Sequence, residues 1–374
     1  MRLDHLSLTT FRSHYKTEFE PAPLVNLLHG DNGTGKTNIL ESIGYLGLGK
    51  SFLGVPDSTV VHRGADHFVV DGTFFGDARG KMSLRIASVP GDGRRAFSNG
   101  APLDRLSDLV GRVPIVTASP LDYELTAGGP GERRRFLDVT LSQSYPAYLK
   151  DVVSYRRALK QKSALLGKRR GRPVQPQTIS AWDNEIATIG GRIVERRKVF
   201  LARFSSFLSD AFGLIGSTGD EPSLVYQPAG ITDADEPAES ALRIALDRTF
   251  KRSVQTGQTY AGPHRDEVAF FLGDLEVRPY ASQGQHRTFS LCLRIAQALF
   301  LRESTDELPL LLLDDVFGPL DPKRTQIVLE LLAGGSLGQS FVSSADHGPI
   351  QKVVPFSGDQ HAMFHVERGA LAPS

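Results

Sequence analysis

Apolar positions near the N-terminus fall at Leu3, Leu6 and Leu8, then at Phe11, Tyr15 and Phe19, a rough alternation that predicts two paired strands. A short apolar run, LVNLLH at 24–29, leads into a glycine-rich loop. Beyond the loop the period changes: Ile39, Leu40, Ile43 and Leu46 predict a helix over 36–48. Between 67 and 102 the runs FVVDGTFF, KMSLRIASV and RRAFSNGAP, broken by Gly-Asp-Gly and Asn99-Gly100, predict an antiparallel meander.

After Pro120 the pattern is helical. Residues 148–166 and 178–213 read as two helices; the second repeats Ile179, Trp182, Ile186, Ile189, Ile193, Phe200, Phe204 and Phe207 at steps of three, four or seven. This is a coiled-coil seam about four heptads long, interrupted near Arg196 and Arg197. The intervening GKRRGRPVQPQ (167–177) reads as a turn, which gives an antiparallel helical arm ~30–45 Å long with a basic tip. Helices packed in a core would carry the same stripe, so both arrangements stay open here. Residues 216–240 are acidic and rich in Gly and Pro, and read as loop. Helix spacing returns over 287–302, followed by a buried strand in LPLLLLDD, a helix over 323–332 and a short strand in SFVSSA. Strand–helix alternation at both ends of a helical middle predicts an α/β core over 1–118 and 258–374, carrying an insertion at 119–257.

Charge adds a further distinction. The 374 residues hold 43 Lys plus Arg against 42 Asp plus Glu, a net +1. That average hides segregation: 132–203 has 17 basic and 6 acidic residues, a local +11, whereas 204–247 has 1 and 8, a local −7. A basic block suits a face presented to a polyanion; a solvated helical surface with basic bias is the competing use. The single cysteine, Cys292, excludes an intrachain disulfide and a cysteine-based zinc cluster. Apolar runs such as 310–313 are far shorter than the ~20 residues of a membrane span, and the N-terminus lacks a secretory core, so a cytoplasmic location is expected.

Candidate chemistry begins with Gly30, Asp31, Asn32, Gly33, Thr34, Gly35, Lys36 and Thr37, which fit G-x-x-x-x-G-K-[ST] at every fixed position. Glycines let backbone N–H groups close around phosphate oxygens, Lys36 reaches the outer phosphates, and the Thr37 hydroxyl is placed for Mg²⁺. Asp314, ending an apolar strand, is the expected holder of the magnesium shell, and Asp315 the group that orients or deprotonates an attacking water. Upstream, Ser282, Gln283, Gly284 and Gln285 form a turn opening a helix, an anion-binding element built from hydroxyl, amides and dipole.

Taken in order and spacing, FRSHY (11–15), GDNGTGKTN (30–38), GKSF (49–52), ERRRFLD (132–138), GPHRD (262–266), ASQGQHRT (281–288), LLLLDD (310–315) and LD (320–321) resemble the ATP-binding-cassette ATPases, in the branch of chromosome-maintenance and recombination proteins. The resemblance covers nearly the whole chain. It implies an ATPase head (lobe I, mixed sheet with helices) with an inserted, mostly helical lobe II. It also implies ATP and Mg²⁺ as cofactors, with residues 30–38, including Asn38, of one head facing 282–285 of a second in an ATP-dependent homodimer. Asp321 then lines the dimer interface and Arg12 approaches the nucleotide, although a strand-end arginine in a salt bridge is an equal use. As function, the resemblance implies DNA binding at gaps or single-strand/double-strand junctions and slow ATP hydrolysis as a release switch. Help in recombinase loading through the mediator RecR and in SOS induction follows from it too. Alternatives are an SMC-like ATPase with another partner and a transporter-type nucleotide subunit; the first lacks its long coiled coil here, the second its motif spacing.

The chain departs from the family pattern in three places. Gly318-Pro319 stands where Ser-Glu is usual. Ala345 occupies the position of the switch histidine, with His347 close by. No glutamine loop is evident at 119–122, where Asp122 is the candidate substitute. Arg133, Arg134 and Arg135 read as structural, and GPHRD as a support for the signature turn.

Overall fold

The computed structural model describes residues 1–89, 93–168, 175–215, 221–232, 236–318 and 320–374. The chain divides into two compact units, Met1–Tyr123 with Asp210–Thr218 and Gln283–Ser374, and Glu124–Ser209 with Gly219–Ser282.

The first unit contains two six-stranded sheets. One is antiparallel, in the order His14–Phe19, Arg2–Phe11, Phe68–Gly76, Gly80–Val89, Gly93–Ser98, Ala101–Pro102, which is the expected N-terminal pair joined to the expected meander. Leu3, Leu6 and Leu8 are fully buried, with a register shift between Leu3 and His5 accommodating their uneven spacing. The other sheet runs Ala370–Pro373, His361–Glu367, Val25–His29, Ser340–Ser344, Leu310–Asp314, Ile115–Ala118, and is parallel except at the edge pair 361–367 and 370–373. The helix Lys36–Leu48 supplies Ile39, Leu40, Ile43 and Leu46 to a core shared by both sheets, with Leu3, Leu8 and Phe74 from one and Leu28, Leu312 and Phe341 from the other. Parallel registers place His29 beside Ser344 and Asp314 beside Ser343, so the glycine loop and the acidic pair leave the sheet at the same edge. Ligands of parallel sheets collect at that carboxyl edge.

Buried polar groups tie the ends of this unit together. The Met1 amine pairs with Glu307 at 2.9 Å, and Glu307 also accepts the N–H groups of Asp77, Ala78 and Arg79. Cys292 is buried, with Sγ 3.8 Å from the carbonyl of Ala211, and burial pushes its thiol pKa up.

The second unit is mainly helical. Its helices Pro146–Lys168 and Pro176–Ile215 are antiparallel, as Arg197 with Tyr148 (3.0 Å), Arg192 with Asp151 (2.6 Å) and Lys162 with Asp183 show. Ile179, Ile186, Ile193, Phe200 and Phe204 are buried along the expected seam, whereas Trp182 and Phe207 are half-buried. The longer helix runs unbroken through Arg196 and Arg197. The helix Ala238–Arg248 crosses it at Gly190 and Gly191, where an added Cβ would meet Leu242 and the Glu239 backbone. At that level the pair is packed within its unit. The expected basic tip falls mostly on residues 169–174, outside the described residues.

Two expectations need correction. Residues 216–240 are not all loop: Pro222–Gln227 is a strand, paired antiparallel with Glu267–Leu272, which pairs in turn with Leu275–Glu276. That pairing draws 258–282 into the second unit, so the insertion runs from 124 to 282 and not from 119 to 257. Conversely, residues 210–218 group with the first unit, where Ala211 meets Cys292.

Candidate nucleotide site

The glycine loop takes backbone angles that side chains resist. Gly30 and Gly35 have φ of 139° and 116°, and a Cβ on either would lie 2.4 Å from the Val366 carbonyl oxygen or 2.5 Å from the Ser13 hydroxyl. The loop is held from outside: Gly369 donates its N–H to the Thr34 carbonyl (2.9 Å) and Asn38 Nδ2 donates to Ser13 Oγ (2.8 Å). Thr34 Oγ1 donates to the Asp31 carbonyl at 2.9 Å, while Asp31, Asn32 and Gly33 are exposed. His14 is fully buried under the loop, its ring nitrogens against Gly35 O (3.1 Å) and Thr17 Oγ1 (3.0 Å), and burial lowers its pKa.

Lys36 is buried and curls back, donating to the carbonyls of Gly30 (2.7 Å) and Asp31 (2.8 Å). Burial lowers its pKa, opposed first by Asp315 and then by Asp314 and Asp31. The Thr37 hydroxyl donates to Asp314 at 2.8 and 3.0 Å from its two carboxylate oxygens. Ser343, which sequence reasoning missed, donates to Asp314 Oδ1 at 2.5 Å and accepts the Asp315 N–H at 3.1 Å. Its only signal was a place on the strand next to the acidic one. Asp315 is exposed and has φ of 54°, a left-handed turn at the strand end. Residues 30–38, 314 and 315 therefore converge.

Arg12 makes a bidentate pair with the fully buried Glu41 (2.8 and 3.0 Å) and donates to the Thr59 carbonyl at 3.0 Å, so its guanidinium is engaged in the salt-bridge use. Asp321 caps the helix Pro322–Ala333, accepting the Arg324 N–H at 3.1 Å. That amide, with the Arg324 guanidinium, holds its carboxyl below the usual range. Ser282, Gln283 and Gly284 are exposed at the head of the helix Gln283–Thr305. Asp122 is clasped by Arg294 of that helix at 2.6 and 2.9 Å, and its carbonyl accepts from Ser290 Oγ at 2.8 Å. His347 packs against His29, whose ring also lies 5.2 Å from that of His365. Burial and these two neighbours lower the His29 pKa.

Two further motifs are placed by their ion pairs. Asp266 of GPHRD is fully buried, accepting from Arg197 Nη1 (2.9 Å), the Ala229 N–H (2.8 Å) and the Tyr226 hydroxyl. Within the Arg133–135 run Arg133 is bidentate with Glu267 at 2.7 and 2.8 Å, and Arg135 lies 3.8 Å from Glu132.

The chain aligns over nearly its full length with DNA replication and repair protein RecF of Salinibacter ruber, 42% identical over 374 residues, covering 99% of this chain and 91% of the relative. The chain belongs to the RecF family. RecF of Chloroherpeton thalassium is 38% identical, with 94% and 97% coverage. A profile described as an AAA domain matches residues 5–87. Among solved structures, the recombination mediator protein RecF with ATPrS, of the RecFOR pathway, superposes with a TM-score of 0.90 at 28% identity, covering 100% of this chain and 98% of that one. An Smc head bound to the C-winged helix domain of ScpA gives 0.58 at 15% identity and shares the fold, an ATPase head of mixed sheets and helices. Among the described residues no helix is long and apolar enough to cross a membrane.

Proposed function

We propose that this chain is an ATP-gated DNA-binding head of recombinational repair and replication restart, acting in the cytoplasm. Two copies sandwich two ATP molecules, each held by residues 30–38 of one copy and met by Ser282, Gln283, Gly284 and Gln285 of the other, with Asp321 at the interface. The observation that carries the reading is the pairing of a completed phosphate loop with an exposed signature turn.

The residues present suit the nucleotide and its metal. Hydroxyl and carboxylate oxygens of Thr37 and Asp314, 2.8 Å apart, are the hard donors that Mg²⁺ prefers, and loop glycines leave room for phosphate oxygens. When bound, Mg²⁺ neutralises charge on the phosphate oxygens. Lys36, held by two loop carbonyls, supplies a preplaced cation to the outer phosphates. Ser343 fixes Asp314, while the exposed Asp315 carboxylate is free to take a proton from water. Hydrolysis then serves as a slow release switch.

The names of its relatives and the net +11 over 132–203 support DNA as the partner, at gaps or single-strand/double-strand junctions. Membership of a RecFOR pathway by the structural relative supports a RecR partner and roles in recombinase loading and SOS induction. DNA affinity measured with ATP and without nucleotide tests the gating: tight binding only with ATP supports it, and equal weak binding in both conditions contradicts it.

A further inference from the structure

Within the second unit lies a cavity of about 190 Å³ whose charge the nucleotide chemistry does not use. Four guanidinium groups line it, from Arg134, Arg135, Arg156 and Arg197, with Asp138 the one carboxylate on its wall. Arg197 forms a saturated floor: it donates to Tyr148 Oη (3.0 Å), the Pro263 carbonyl (2.8 Å), Asp266 (2.9 Å) and Asp138 (2.8 Å). Arg156 shares Asp138 at 2.9 Å from the rim. Arg134 differs from both. Its hydrogen bond goes to the backbone carbonyl of Asp266 at 2.6 Å, and among the described residues it makes no ion pair with a carboxylate. A guanidinium carries five N–H donors, and Arg134 is among the residues that line the cavity. Burial and then the Arg197 charge lower its pKa, against the opposing pull of the Asp266, Glu267 and Asp138 carboxylates.

The remaining wall is neutral and rigid. His264 Nε2 lies 3.0 Å from the Thr259 carbonyl and must donate to it, so Nδ1 accepts from the Tyr155 hydroxyl at 2.8 Å. Burial pushes the His264 pKa down to about 4, so it stays uncharged at neutral pH. Next to it, Arg265 lies 5.5 Å and Arg252 4.1 Å from the ring of the half-exposed Tyr260, extending the positive surface with an aromatic face.

We propose that this cavity seats a backbone phosphate of DNA, with Arg134 as the principal ligand and Arg135 and Arg156 at the rim. The inference deepens the DNA-binding reading and rests on it. Guanidinium forks match phosphate oxygens in pairs, and Arg134 is anchored beside the cavity by its bond to the Asp266 carbonyl before the ligand arrives. Phosphate could also arrive as a free ion or on a nucleotide; the +11 block that contains all four cavity arginines and the Tyr260 face favour the polymer.

The test compares duplex with a single-strand gap, inorganic pyrophosphate and a fluorescent ATP analogue as ligands of the full chain and of Arg134→Gln. At ~0.1 M salt, loss of one phosphate contact lowers DNA affinity about tenfold and reduces the salt slope by about one. The analogue should bind the phosphate loop as before. Arg156→Gln, at an exposed rim, gives a smaller loss of DNA affinity and covers the case in which Arg134→Gln fails to fold. Unchanged DNA affinity and slope in both variants, at native Tm, overturn the proposal. So does loss of pyrophosphate binding with DNA binding intact, which assigns the cavity to a free ion. If wild-type chain with ATP does not bind DNA, the parent reading fails; if it binds and the variants match it, only the cavity assignment fails.

Discussion

Thr37 and Asp314, 277 positions apart in sequence, are joined by hydrogen bonds of 2.8 and 3.0 Å that bring the end of the phosphate loop onto the acidic strand. Parallel pairing of 340–344 with both 25–29 and 310–314 makes this contact, and Ser343 on the shared strand holds the carboxylate in place. The geometry of the site is thus a property of the sheet, and several outcomes depend on it.

Replacing Lys36 by Ala removes the one buried cation of the loop. Charge-assisted hydrogen bonds are worth about 1.5–3 kcal/mol, so ATP affinity should fall roughly 10- to 150-fold. Titration with a fluorescent ATP analogue measures it; a change under threefold would contradict the role of Lys36.

Ser282→Arg places a bulky cation on an exposed turn. Nucleotide binding by the single chain should stay within about twofold, while association in ATP weakens at least tenfold, about 1.4 kcal/mol. Sedimentation over a concentration series reads both states; an undiminished dimer would exclude this turn from the interface.

Arg197 is 3% exposed and meets Asp266, which is 0% exposed, whereas Arg192 is 48% exposed beside Asp151. Removing one partner of a buried pair costs about 3–5 kcal/mol, and an exposed pair contributes about 0–1 kcal/mol. Urea unfolding should therefore separate Arg197→Ala sharply from Arg192→Ala. Similar midpoints for the two would show that the Asp138–Arg197–Asp266 network is not a stabilising centre of its unit.

Acid should destabilise the second unit through His264. Its folded pKa is about 4 and its unfolded value about 6.5, so the unfolded chain takes up the proton first. The stabilisation is complete above about pH 6.5 and is lost as pH falls towards 4, by up to ~3 kcal/mol. Denaturation midpoints from pH 7 to pH 4 measure the loss, and His264→Gln should flatten the curve. A variant with the wild-type slope would assign the acid sensitivity elsewhere.

The phosphate loop, its helix, the acidic strand and the signature helix were legible because each is written in a local pattern of glycines or apolar period. The strand Pro222–Gln227 was not: it lies in an acidic Gly/Pro-rich stretch, and its ladder partner is some forty residues later. Missing that ladder displaced the expected insertion boundary from 282 to 257. Salt-bridge partners were equally hidden, since nothing near Arg12 marks Glu41 and nothing near Asp122 marks Arg294. Arginines 133 and 134 show the limit most sharply. Adjacent residues of one type point to a carboxylate and to a cavity, a difference set by helix phase and by chain from 263–267.

Light scattering of Asp315→Asn in saturating ATP and Mg²⁺ tests the central claim most directly. With the water-activating carboxylate gone but the loop and turn intact, the account predicts a persistent species near twice the 40.8 kDa of one chain, reverting when nucleotide is removed. A variant that binds ATP yet remains at the mass of a single chain would contradict it.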